Sequence, residues 1–174
     1  MSLHKILSGL VLWLLLIIVI FGFPFIPFNL DKKMDTPFLS QHGSDNALIF
    51  FGFQGCGDVC PTTLITLKQL LNRQENTSLW PHVIFVDIDV SSNSEDASRF
   101  AKQFHTSFTG LHIPAEELKA ISTEFGLNIK QEGSQISHFG RTYLLRRNAS
   151  EWRLVKIYNP DSLSLTALQS ELYD

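Results

Sequence analysis

The sequence predicts an α/β fold: a mixed sheet flanked by helices, preceded by one N-terminal transmembrane helix. Three observations predict it. Strand-length apolar runs alternate with stretches of helical periodicity from residue 47 to residue 125, a β-α-β-α order that argues for a parallel sheet covered on both faces. The last two strand runs are joined by only residues 147–151, short enough for a hairpin. Residues 6–30 contain no charged side chain at all. With 44% hydrophobic residues, 18% charged and a net charge of −3, the chain has a globular composition and no polyanion-seeking surface, which excludes nucleic acid as a partner class.

At the N-terminus, residues 6–23 are almost wholly Leu, Ile, Val, Phe and Trp before Pro24 interrupts. As a helix they span roughly 27 Å, close to the ~30 Å hydrocarbon core of a bilayer. A cleaved signal peptide is the competing reading. The apolar stretch exceeds an ordinary signal core, however, and the bulky Phe23-Pro24-Phe25-Ile26-Pro27 that follows offers no small-x-small cleavage pattern. Residues 1–28 are therefore expected to be a cytoplasmic tip and an uncleaved membrane anchor, 29–46 a polar, turn-rich linker, and 47–174 one domain. Lys5 and the terminal amine on one side nearly balance Lys32 and Lys33 on the other, so charge alone does not orient the span. The short N-terminal flank and the large domain behind it fit an extracytoplasmic C-terminal part.

Within the domain, strand signals fall at 47–53, 83–89, 142–146 and 152–158, and helical patterns at 61–73, 95–104, 115–125 and 162–172. The only two cysteines lie where the first of these strands gives way to the first helix, in Gly55-Cys56-Gly57-Asp58-Val59-Cys60-Pro61. Pro61 suits a first helical turn, and Leu64, Leu67 and Leu71 mark one apolar face beyond it. Unpaired amides and the positive dipole end at that position favour thiolate over thiol. Two such sulfurs can cycle between dithiol and disulfide or grip a soft metal. A mixed sheet, a dithiol after the first main strand and a final C-terminal helix make a thioredoxin-like arrangement.

More specific similarity follows. Phe51-Gly52-Phe53-Gln54-Gly55-Cys56-Gly57-Asp58-Val59-Cys60-Pro61-Thr62-Thr63-Leu64 resembles the signature of the Sco/SenC family, Tyr-Phe-Gly-Phe-Thr-x-Cys-Pro-Asp-Val-Cys-Pro-Thr-x-Leu. Phe85-Val86-Asp87 resembles that family's Val-Asp-Pro strand end. Phe104-His105-Thr106-Ser107-Phe108-Thr109-Gly110-Leu111 resembles its Phe-His-x-x-Phe-x-Gly-Leu turn, and Ile136-Ser137-His138 through Tyr143-Leu144 its Val-Asp-His-x-x-x-x-Tyr-Leu segment. The resemblance implies a membrane-tethered copper chaperone, not a conventional enzyme, serving assembly of the binuclear copper site of cytochrome c oxidase. It implies copper ligands at Cys56, Cys60 and His138. The implied partners are the oxidase copper-site subunit or another copper chaperone. The implied location is a cell inner membrane, single-pass, with the domain in the periplasm; a mitochondrial inner membrane is the alternative. The ligand chemistry is coherent, since Cu(I) is soft and prefers thiolates.

The chain departs from the pattern at Gly57, where the family has proline, at Ile88, which replaces the proline of Val-Asp-Pro, and at Ser91, where a second acidic residue is usual. Asp58 is expected to cap an N–H group, and Asp87 either to orient the thiols or to cap a turn. His105 reads as structural, and His4, His42, His82 and His112 have no metal spacing. The sequons at Asn76 and Asn148 carry no assignment. Two alternatives remain. An extracytoplasmic thiol–disulfide reductase would use Cys56 and Cys60 as its redox-active pair, although thioredoxins carry a proline where this chain has Arg141. A binding module with a structural disulfide is the other.

Overall fold

The structure, a computed structural model, describes residues 7, 9, 11–17, 30–39, 43–73, 80–132 and 135–173, without the side chains of 131, 132 and 135. Residues 11–17 are helical and their apolar side chains are exposed. Among the described residues no helix is long and apolar enough to cross a membrane. The anchor expected over 1–28 lies largely outside them.

Six strands form the main sheet: β1 (Lys32–Met34), β2 (Asn46–Gly52), β3 (His82–Asp87), β4 (Thr109–His112), β7 (Thr142–Asn148) and β8 (Glu151–Tyr158), in the order β1-β8-β7-β2-β3-β4. A separate two-stranded ribbon pairs β5 (Lys130–Glu132) with β6 (Gln135–Ser137). Among the described residues from 30 onward, the α-helices are α1 (Val59–Asn72), α2 (Ser94–Phe104), α3 (Ala115–Phe125) and α4 (Leu165–Tyr173). β2, β3 and β4 run parallel, while β7, β8 and β1 are added antiparallel. The sheet is therefore mixed, as the hairpin-length connection implied.

The continuous apolar run of β2 has a direct cause: a strand covered on both faces cannot alternate polar with apolar. Ala47, Ile49 and Phe51 face one core with Ile121 and Phe125 of α3. Leu48 and Phe50 face the other, with Leu64, Leu67 and Leu70 of α1 and Leu168 of α4. Residues 32–34, assigned to the linker from sequence, form edge strand β1, with Lys33 opposite Arg153 and Met34 opposite Trp152. Met34 and Leu39 are buried in the first core, so the chain joins the folded unit well before residue 47.

Topology then positions the site. β2 is flanked by parallel β3 on one side and antiparallel β7 on the other, with Phe50 opposite Thr142. The loop leaving the C-terminal end of β2 and the loop entering β7 thus emerge at the same end of the sheet. Ligand sites of open α/β sheets form outside the carboxyl ends of strands.

Candidate metal centre

Cys56 lies on the loop after β2 and Cys60 is the second residue of α1. His138 sits between β6 and β7. One ligand atom from each of the three residues lies within 4.8 Å of the other two, and Cys60 Sγ is 3.5 Å from His138 Nε2. Two sulfurs opposite each other on one ion span about 4.6 Å at ~2.3 Å per bond. The donor set is therefore already near coordination distance. Both cysteines are free thiols.

Cys60 is completely buried. Gly52 makes this possible, because a Cβ there would come 2.9 Å from Cys60 Sγ and 3.0 Å from the Phe50 ring. Burial, reinforced by the hydrogen bond with Cys56, pushes the Cys60 thiol far above its ordinary range. This corrects the sequence expectation of two activated thiolates. At the other sulfur, the Cys60 amide donates to Cys56 Sγ at 3.4 Å. Asp58, expected as the cap, holds the N-cap position and makes no side-chain capping bond. Cys56 is half-buried, the more accessible sulfur of the pair.

His138 is packed edge-on against Phe50 and Phe53, with ring centroids 6.2 Å and 6.1 Å away. Burial among these rings lowers its pKa and keeps the imidazole neutral. The Gly140 amide donates to Nδ1 at 3.0 Å. A neutral ring accepting at Nδ1 carries its proton on Nε2, facing the Cys60 sulfur. The two phenylalanine walls were not singled out from sequence, although both belong to the Phe50-Phe51-Gly52-Phe53 run that leads into the cysteine loop.

The other candidates lie apart from this set. Asp87 is fully buried at the end of β3, where its carboxylate accepts from the Asp89 amide at 3.0 Å and the Ser92 hydroxyl at 2.8 Å. It is a turn cap, and burial raises its pKa. Ser91 donates its hydroxyl to Asp89 at 2.6 Å, closing the same turn. His105 Nδ1 accepts from the Ser107 amide at 3.2 Å, the structural role expected. His82 meets the Thr109 hydroxyl at 2.7 Å, and His112 pairs across from Asp87 on β4. His4 and His42 lie outside the described residues.

Fold and site together define a thioredoxin-like domain with a dithiol–imidazole centre at the carboxyl end of its sheet. A family model described as SCO1/SenC matches residues 26–171. The chain belongs to the SCO1/SenC family. It is 28% identical over 128 residues to Protein SCO1 homolog 1, mitochondrial, of Arabidopsis thaliana, covering 68% of this chain and 37% of that protein. The matched stretch is thus well under two thirds of that relative's length. The solution structure of apo Sco1 from Thermus thermophilus is similar at TM-score 0.65 and 30% identity, covering 83% of this chain and 90% of that one. The crystal structure of Arabidopsis thaliana ScoI with copper bound is similar at TM-score 0.64 and 25% identity, covering 75% of this chain and 85% of that one.

Proposed function

We propose that this protein is a membrane-anchored copper chaperone. It holds one copper ion, its cargo, through Cys56, Cys60 and His138, and it assists assembly of the binuclear copper site of cytochrome c oxidase. The observation that carries this reading is the convergence of two sulfurs and one imidazole within 4.8 Å at a partly open surface. Three donors suit Cu(I), whereas zinc would lack its fourth ligand. Family membership and the copper-bound Arabidopsis structure support the choice of metal. The apolar residues 6–23 support anchoring, with the domain outside the cytoplasm.

A second reading is favoured by one observation: the two thiols lie close enough to close a disulfide with a small movement. In that case Cys56, the more accessible sulfur, attacks a partner disulfide and Cys60 resolves the mixed disulfide. The partner's cysteines leave reduced and this pair leaves oxidised.

The experiment that separates the two is a comparison of His138→Ala with Cys56→Ala in a cell that depends on this protein for its oxidase. Copper delivery predicts that both variants lose oxidase copper-site assembly to a similar degree. If His138→Ala assembles a normal oxidase while Cys56→Ala fails, copper delivery is wrong and thiol exchange stands.

A further inference from the structure

The two loops that carry the candidate ligands meet at a contact outside the ligand set. Gly140, two residues beyond His138, has φ of 61°, in the left-handed region that favours glycine. A Cβ at this position would fall 2.2 Å from Val59 Cγ1, with Pro160 Cγ 3.6 Å away. Val59 opens α1 and directly precedes Cys60. The bare backbone of one loop is therefore seated against a side chain of the other.

We infer that Gly140 is a positioning residue of the metal centre: its seat on Val59 sets the distance between the His138 imidazole and the two sulfurs. This rests on the copper reading above. Two features point the same way. The Gly140 amide holds the ring of the metal-free site through Nδ1. The Val59 contact does not depend on where the imidazole proton sits, so it can serve the loaded site as well.

The side that yields to a larger residue 140 follows from burial. Val59 is continuous with Cys60, which is locked in the core with Leu64 and Leu67. His138 lies between exposed Ser137 and exposed Phe139. A methyl group at 140 therefore lifts the histidine loop and leaves the cysteines in place. Metal sites hold their ligands within about 0.5 Å, so such a shift detaches the imidazole.

The test is Cu(I) competition against a chromogenic chelator, using the purified full-length chain, with the thiolate-to-Cu(II) absorption band as a second readout. Gly140→Ala should weaken Cu(I) binding about 10–100-fold, the range for residues that orient metal ligands, and should alter the band. Gly126→Ala is the control for backbone strain, because Gly126 has φ of 63° and nothing within 4 Å of its Cβ position; it should bind copper as the wild type does. Val59→Ala should restore most of the affinity lost in Gly140→Ala. In a His138→Ala background, Gly140→Ala should add no further loss. Should Gly140→Ala fail to fold, Val59→Leu in the unaltered Gly140 chain presses on the same contact and should weaken binding too.

Wild-type affinity in Gly140→Ala, equal loss in Gly126→Ala, or an undiminished Gly140→Ala effect without His138 would each overturn the inference. A wild-type chain that binds no copper overturns the copper reading itself, a result distinguishable from all of these.

Discussion

The Cys60 amide donates to Cys56 Sγ at 3.4 Å, so a metal-ligand candidate caps the helix that carries its partner. Asp58, at the N-cap position, leaves that work undone. In the reduced, metal-free protein, Cys56→Ala should therefore lower stability by about 1 kcal/mol, the cost of losing a cap. Asp58→Ala should cost less than ~0.5 kcal/mol. Urea unfolding of both variants checks the order, and a larger loss for Asp58→Ala would refute the cap assignment.

Copper loading should expel protons. Cys60 holds its proton well above the ordinary thiol range because it is buried, and neutral His138 carries one on Nε2. The thiol proton must leave before the sulfur coordinates, whereas the imidazole coordinates as a neutral ring once its proton has moved from Nε2 to Nδ1. Apparent Cu(I) affinity should thus rise with pH from about 6 to about 9, without levelling at the usual thiol pKa of ~8.5. Competition titrations across that range test it; a flat profile would remove the Cys60 thiolate from the ligand set.

Acid stability should depend on His138. Its folded pKa is lowered from 6.5 by burial, so the fold favours the neutral ring. That contribution is fully present above pH 6.5 and is lost as pH falls through the lowered value. Asp87 works in the opposite sense, since its raised pKa favours the protonated carboxyl and eases on acidification. Between about pH 7 and about pH 5, the metal-free wild type should lose melting temperature while His138→Gln loses less. Equal slopes would contradict the burial argument.

Membrane attachment is checked separately. A reporter joined after Asp174 should register outside the cytoplasm, and the full-length chain should stay in the membrane fraction through alkaline washing. A shortened chain in the soluble fraction would identify residues 1–28 as a cleaved signal.

Much of this architecture could be read before any coordinates. The apolar runs of β2, β3 and β7 and the apolar–polar alternation of β8 are legible because each strand is buried on at least one face over several residues. The α3 pattern matches Ala115–Phe125 residue for residue. What escaped was short or owed to tertiary contact. β1 and β4 have three and four residues, too few for periodicity to register. The β5–β6 ribbon is of the same kind. At the site, the dithiol was legible from spacing and His138 from its motif. The protonation of Cys60 was not, because helix position predicts a lowered thiol pKa and burial against Phe50 and Phe85, invisible in a linear sequence, reverses it. Gly140 gave no signal either, since its role depends on Val59, eighty-one residues earlier in the chain.

The three donors are unequally mounted. Cys60 sits in the first turn of α1, wedged into a core shared by Leu48, Phe50 and Leu168. His138 rides a surface loop with exposed neighbours on both sides. On the proposed copper reading, such a centre would behave as a hemilabile chelate, with one donor fixed, one intermediate and one arm able to swing away. An incoming ligand from a recipient protein would displace the imidazole first, while sulfur still held the ion. Handover would then be a stepwise ligand substitution that releases no free copper ion.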